Sequence, residues 1–187
     1  MQDTTLYTIT IFSENAVGVL NQITAIFMRR QLNIETLSVS PSAIEGIHKC
    51  TITVYANGEE VMKKLVRQID RRVDILKAYF NVDSELVHQE LAMYKLSTEK
   101  VMAHGSIEYL IRKYNIRVLE LTKDCVVFLK AGHYAETQGL FDELAAEIGV
   151  LQFVRSGRIA VNKSPAERLS DMLEKRKAEG EKIAEEI

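Results

Sequence analysis

The chain has 187 residues, 47% of them hydrophobic, and its 24 lysines and arginines stand against 26 aspartates and glutamates for a formal net charge of −2. That mix is globular, so disorder of the whole chain is excluded, and the absence of a basic excess argues against a nucleic-acid binder. Cys50 and Cys125 both sit in apolar runs and fit small core residues in a reducing compartment, not a disulfide framework. No window approaches the roughly 18 uninterrupted apolar residues of a membrane span. Met1-Gln2-Asp3 does not open a secretory signal, and the cytoplasm is the expected location.

In chain order, Leu6 to Ser13 is a short alternating run rich in β-branched and aromatic residues, and it predicts a strand. Asn15 to Val19 turns into a helix in which Leu20, Ile23, Ile26 and Phe27 recur at helical spacing up to Arg30. Ile34 to Val39 predicts a second strand, stopped by Pro41, and His48 to Tyr55 a third. Asn57-Gly58 signals a turn before a helix from Glu59 to Ile69, and Val73 to Val82 reads as a fourth strand. The order is βαββαβ, and it recurs. Glu90 to Ser97 is a strand, and one helix capped by Thr98 is expected to run to Tyr114. Ile116 to Leu121 and Cys125 to Lys130 are strands, Tyr134 to Ile148 a helix, and Val150 to Val154 and Ile159 to Val161 strands.

The fold class is therefore α+β: two tandem ferredoxin-like βαββαβ domains with a C-terminal helical tail. The expected boundaries are 1–82, 83–163 and, for the charged tail, 164–187. Each half buries a limited core and leaves open sheet edges, so a homodimer or a higher oligomer is expected.

Catalytic chemistry is hard to find. His48, His88, His104 and His133 show no zinc-site spacing, and no Gly-x-Ser-x-Gly elbow or phosphate-cradling glycine loop occurs. The expectation is no catalytic residue and no metal site, with a small-molecule enzyme on a ferredoxin-like scaffold as the alternative. RNA binding fits poorly, because the strand His48 to Tyr55 offers only Tyr55 as a stacking ring.

The informative stretch runs from Ser13 to Pro41. Asn15 and Gly18 stand at the mouth of a helix. The first N–H groups of a helix have no partner inside it, and the helix dipole favours an anion there. A carboxylate is a natural guest, Asn15 supplies a polar group, and Val17, Leu20 and Ile34 offer an apolar wall. That describes a site of amino-acid size. The structural alternatives are that Asn15 caps the helix and that Gly18 only lets helix and sheet pack closely.

Glu14-Asn15-Ala16-Val17-Gly18-Val19-Leu20, followed by Arg29-Arg30-Gln31-Leu32-Asn33-Ile34-Glu35-Thr36-Leu37-Ser38-Val39, resembles the ACT domain. More narrowly, Leu6 to Lys163 resembles the regulatory small subunit of acetohydroxyacid synthase, also called acetolactate synthase. The Asn-Ile-Glu-Thr-Leu run is the most specific match, and Arg155-Ser156-Gly157-Arg158-Ile159-Ala160 resembles the family's closing run. Gln31 and Leu32 stand where many relatives have a glycine and an aromatic residue. The resemblance implies an N-terminal ACT domain and a chain without catalysis of its own. Such a chain activates a thiamine-diphosphate-dependent catalytic subunit and confers feedback inhibition by valine in branched-chain amino-acid synthesis. It implies no cofactor on this chain, with thiamine diphosphate, FAD and magnesium on the catalytic partner. It also implies an effector site between two copies. Asn15, Ala16, Val17, Gly18, Val19 and Leu20 come from one, and Asn33 and Ile34 from the other. The half from about Glu90 is expected to contribute contacts to the catalytic subunit.

Overall fold

A computed structural model describes residues 4–105 and 107–163. The expected helix within 164–187 lies outside the described residues. The described chain separates into two compact units, one holding the residues up to Val87 and those from Ala160 on, the other spanning His88–Ile159. The boundary falls inside a strand, so no linker marks it in the sequence.

The first unit has the order β1 (Thr5–Glu14), α1 (Val19–Arg29), β2 (Ile34–Pro41), β3 (Ile47–Ala56), α2 (Glu59–Asp70) and β4 (Ile75–Val82). Its antiparallel sheet runs β2-β3-β1-β4. Strand alternation explains the packing. Tyr7, Ile9 and Ile11 of β1 lie opposite Val54, Ile52 and Cys50 of β3, and all six are buried. Ile23, Ile26 and Phe27 of α1 and Met62, Leu65 and Ile69 of α2 close the same core from one side. The intervening residues Thr8 and Thr10 pair with Thr53 and Thr51, and the Thr36 and Thr53 hydroxyls are 2.7 Å apart. The last residue of α2 is tied to β4, because Asp70 Oδ1 accepts from the Ala78 N–H at 2.8 Å. Cys50 is free, and burial pushes its thiol pKa up, as befits a core residue.

The second unit is built from β5 (Leu86–Ser97), whose first two residues belong to the first unit, α3 (Thr98–His104), α4 (Ile107–Tyr114), β6 (Arg117–Leu121), β7 (Cys125–Gly132), α5 (Tyr134–Glu147) and β8 (Gln152–Arg155); β9 (Ile159–Asn162) begins where the chain passes back into the first unit. The sheet runs β6-β7-β5-β8, with β9 also pairing with β5. Here one expectation is corrected. The single helix from Thr98 to Tyr114 is two helices, because Gly105 takes an extended backbone (φ 166°, ψ −145°) that no helix accommodates. Thr98 is not the cap either. Ser97 accepts from the Lys100 N–H at 3.5 Å, while the Thr98 hydroxyl donates to the Thr122 carbonyl at 2.8 Å. Val101, Leu110, Leu140, Leu144 and Ile148 still face the core.

The second core contains a buried ionic cluster. Glu90, only 5% exposed, accepts from the Thr137 hydroxyl and lies 3.2 Å from Arg155 Nε. That Nε makes no well-aligned hydrogen bond, whereas Arg155 Nη2 donates to Gln138 Oε1 at 2.8 Å. The guanidinium also covers the Tyr134 ring at 4.2 Å. Tyr94 donates to the Thr137 carbonyl at 2.7 Å, and its pKa is pushed up to about 12 by burial. Next along the chain, the Ser156 N–H donates to the Leu91 carbonyl (2.9 Å) and its hydroxyl accepts from the Leu91 N–H (3.0 Å). Gly157 then turns at φ 75°. The Arg155-Ser156-Gly157 run thus locks the end of β8 onto β5.

Candidate functional site

The mouth of α1 is open. Its N-cap residue is Gly18, at φ 89° and ψ −8°, with no side-chain cap bond and no acidic residue in the first turn. The other helix of this unit carries Glu59 and Glu60 in its first turn. Both structural alternatives for this stretch fail. Asn15 is exposed and lies outside the cap, where its backbone N–H donates to the Gly46 carbonyl at 2.8 Å. A Cβ on Gly18 would meet nothing within 4 Å, so close packing does not require glycine there. Its positive φ does. Ala16 and Val17 are exposed on the turn, Val17 completely so, and Leu20 is 43% exposed. Val19 belongs to the core at 4% exposed, and its N–H donates to the Ala16 carbonyl at 3.4 Å, so the free N–H groups are those that follow it. The arrangement offers unpaired helix N–H groups beside apolar side chains, with no competing carboxylate in the first turn.

Asn33 and Ile34 lie elsewhere. The eleven residues of α1 span about 16 Å and separate Gly18 from them. The sheet gives the same answer: Glu14 pairs with Ile47 and Ile34 with Val54, seven steps along β3, or about 23 Å. One chain therefore does not bring the two groups together. Asn33 is exposed, and its amide donates to Glu35 Oε1 at 3.0 Å. Ile34 packs partly against the core.

The turn between α1 and Asn33 explains the departure at Gln31. The Leu32 N–H donates to the Phe27 carbonyl (3.1 Å) and the Gln31 N–H to that of Met28 (3.0 Å). This is a Schellman exit, which places Gln31 in the left-handed region at φ 54°. A glycine avoids the Cβ clash of that conformation. Gln31→Gly should therefore stabilise the chain by about 0.5–1 kcal/mol, read as a raised midpoint in urea. An unchanged or lowered midpoint would contradict this account.

Two features escaped the sequence. His88 and His133, far apart in the chain, have ring centroids 4.7 Å apart. His104 Nε2 lies 3.1 Å from Glu147 Oε2. Among the described residues, no three His, Cys, Asp or Glu side chains come together to hold a metal ion. No helix among them is long and apolar enough to cross a membrane.

The first unit, with a glycine turn at the mouth of its first helix, defines a protein of the ACT-domain class, with a second ferredoxin-like unit following. Residues 9–77 match the family described as the AHAS small subunit-like ACT domain, and residues 89–164 match the small subunit of acetolactate synthase. The chain belongs to the acetolactate synthase small-subunit family. It is 27% identical over 162 residues to the acetolactate synthase small subunit of Bacillus subtilis, covering 87% of this chain and 93% of that one. It is 27% identical to the Aquifex aeolicus small subunit, over 83% of this chain and 80% of the relative. The small-subunit crystal structure from Thermotoga maritima superposes with a TM-score of 0.76 at 18% identity, over 86% of this chain and 99% of that one, and shares the fold.

Proposed function

We propose that this chain is a non-catalytic regulatory subunit. In this reading it activates a thiamine-diphosphate-dependent acetolactate synthase and makes it sensitive to valine, at the head of branched-chain amino-acid synthesis. Thiamine diphosphate, FAD and magnesium belong to the catalytic partner, and this chain holds no cofactor.

The observation that carries the reading is the uncapped mouth of α1, with its glycine held at φ 89° and no acidic residue in the first turn. An amino-acid carboxylate complements those N–H groups, and an aliphatic side chain complements Val17 and Leu20. Asn33 and Ile34 complete the site from a second copy. Self-association has its own support. Leu37 and Val39 on edge strand β2 share the face of Ile52 and Cys50, yet remain 40% and 37% exposed. They extend the apolar core to the sheet edge, where a second copy would cover them.

The test is to mix the purified chain with the catalytic subunit and follow acetolactate formation while titrating valine. Stimulation that falls with valine supports the reading. Turnover by the chain alone favours an enzyme instead, and no stimulation overturns the proposal. Asn33→Ala should weaken the valine response by about 1–3 kcal/mol, roughly 5- to 150-fold, with stimulation retained.

A further inference from the structure

We infer that the groove at the C-terminal ends of α1 and α2 is a docking surface for an acidic segment of the catalytic subunit; this assignment of the partner rests on the regulatory-subunit reading. The groove, of about 550 Å³, is lined by Arg30, Lys64, Arg67, Gln68, Arg71 and Arg72. Five of these six are cations, in a chain whose acidic residues outnumber its basic ones by 26 to 24. A chain with a net negative charge thus gathers five cations on one groove.

Helix dipoles explain only part of it. A basic residue in the last turn of α2, such as Arg67, complements the dipole. Lys64 is in mid-helix, and Arg30 comes from the other helix, yet both face the same groove. Arg30 is held in place: its Nε donates to Gln68 Oε1 at 3.0 Å and its Nη2 to the Lys64 carbonyl at 3.3 Å. Two neighbouring carboxylates have hydrogen-bond partners outside the groove, with Glu60 also within electrostatic reach of Lys64 and Arg67. Asp70 accepts from the Ala78 N–H, and Glu60 pairs with Lys63 at 3.1 Å. Arg67, Arg71 and Arg72 are exposed.

The lining selects the class of partner. Among the described residues it holds no aromatic ring on which a nucleobase could stack, no hydroxyl, and no glycine that would open backbone N–H groups to a phosphate. It offers guanidinium forks spread over an open surface, which suit several separate carboxylates. The location also fits. Gly18 caps one end of α1 and Arg30 the other, so a partner seated in the groove leaves the Gly18 mouth uncovered.

The test uses the full-length chain carrying R67Q, R71Q and R72Q together, with the triple lysine variant beside it. Association with the catalytic subunit is measured by sedimentation at low and near-physiological salt. A glutamate homopeptide and inorganic tripolyphosphate are titrated against each chain alone, with melting curves as a control on folding. The glutamine variant should associate about tenfold or more weakly at low salt, with a shallower salt dependence, and should lose the homopeptide. The lysine variant should retain most of both, which covers the case of a glutamine variant that folds poorly. Unchanged association in a folded glutamine variant overturns the proposal. So does tripolyphosphate binding that depends on the three arginines while homopeptide binding does not. If the wild-type chain binds the homopeptide through these arginines but no catalytic subunit associates, the regulatory reading fails and the named partner with it.

Discussion

Replacing Gly18 by aspartate should abolish valine inhibition of the assembled enzyme while leaving its activation largely intact. Two effects meet at this position. Gly18 has φ 89°, so any Cβ introduces backbone strain, about 1–2 kcal/mol for an L-residue in the left-handed region. The new carboxylate also lies at a helix mouth with no acidic residue in its first turn, and it interacts favourably with the dipole. These contributions oppose each other in stability, so the melting temperature should move by only a few degrees. For the ligand they act together, because the introduced carboxylate stands where the effector's carboxylate would sit. Inhibition should weaken by at least about 100-fold, of the order of 3 kcal/mol. Gly18→Ala carries the strain without the charge and should retain most of the response. A lowered melting temperature with an unchanged valine dose–response in Gly18→Asp would mean that the glycine serves only the turn.

The second large effect is expected in the other unit. Arg155→Met should destabilise it by about 3–5 kcal/mol, because it strands the Glu90 carboxylate, 5% exposed, without its cation. It also removes the guanidinium from Gln138 and from the face of Tyr134. Pairing it with Glu90→Leu removes the stranded charge and should restore most of the loss, leaving the double variant within about 2 kcal/mol of the parent. Urea denaturation of the two singles and the double, read by hydrogen exchange at Tyr94 and Leu144, measures this. Additive losses in the double would show that the pair contributes packing alone.

Much of the fold was legible in the sequence because both periods were clean. Ile9 and Ile11 alternate in β1, and Val61, Leu65, Val66 and Ile69 repeat along α2, so element type and order followed directly, although Met62 is buried more completely than Val61 or Val66. The break at Gly105 was not legible, since a single glycine in a helical pattern ordinarily costs only about 1 kcal/mol and does not end the helix. Nor was the left-handed Gln31, because glutamine carries no signal for that conformation. The helix-mouth residues Asn15 to Leu20 were readable because glycine and polarity cluster locally there. The Glu90–Arg155 cluster was not, because it joins residues distant in the chain, and the basic groove was not, because Lys64 to Arg72 read as an ordinary solvated helix end until the fold brings Arg30 beside them.

The placement of Gly18 and Asn33 at opposite ends of α1 has a thermodynamic consequence. A site that draws on both must be shared by two copies, and a twofold pair then holds two equivalent sites. Ligand occupancy and pairing become linked equilibria. Whatever factor pairing adds to effector affinity, the effector returns to the stability of the pair. Dilution below the pairing constant would blunt the response with every contact residue intact. A sensor built in this way responds to the product of two concentrations, that of the amino acid and its own.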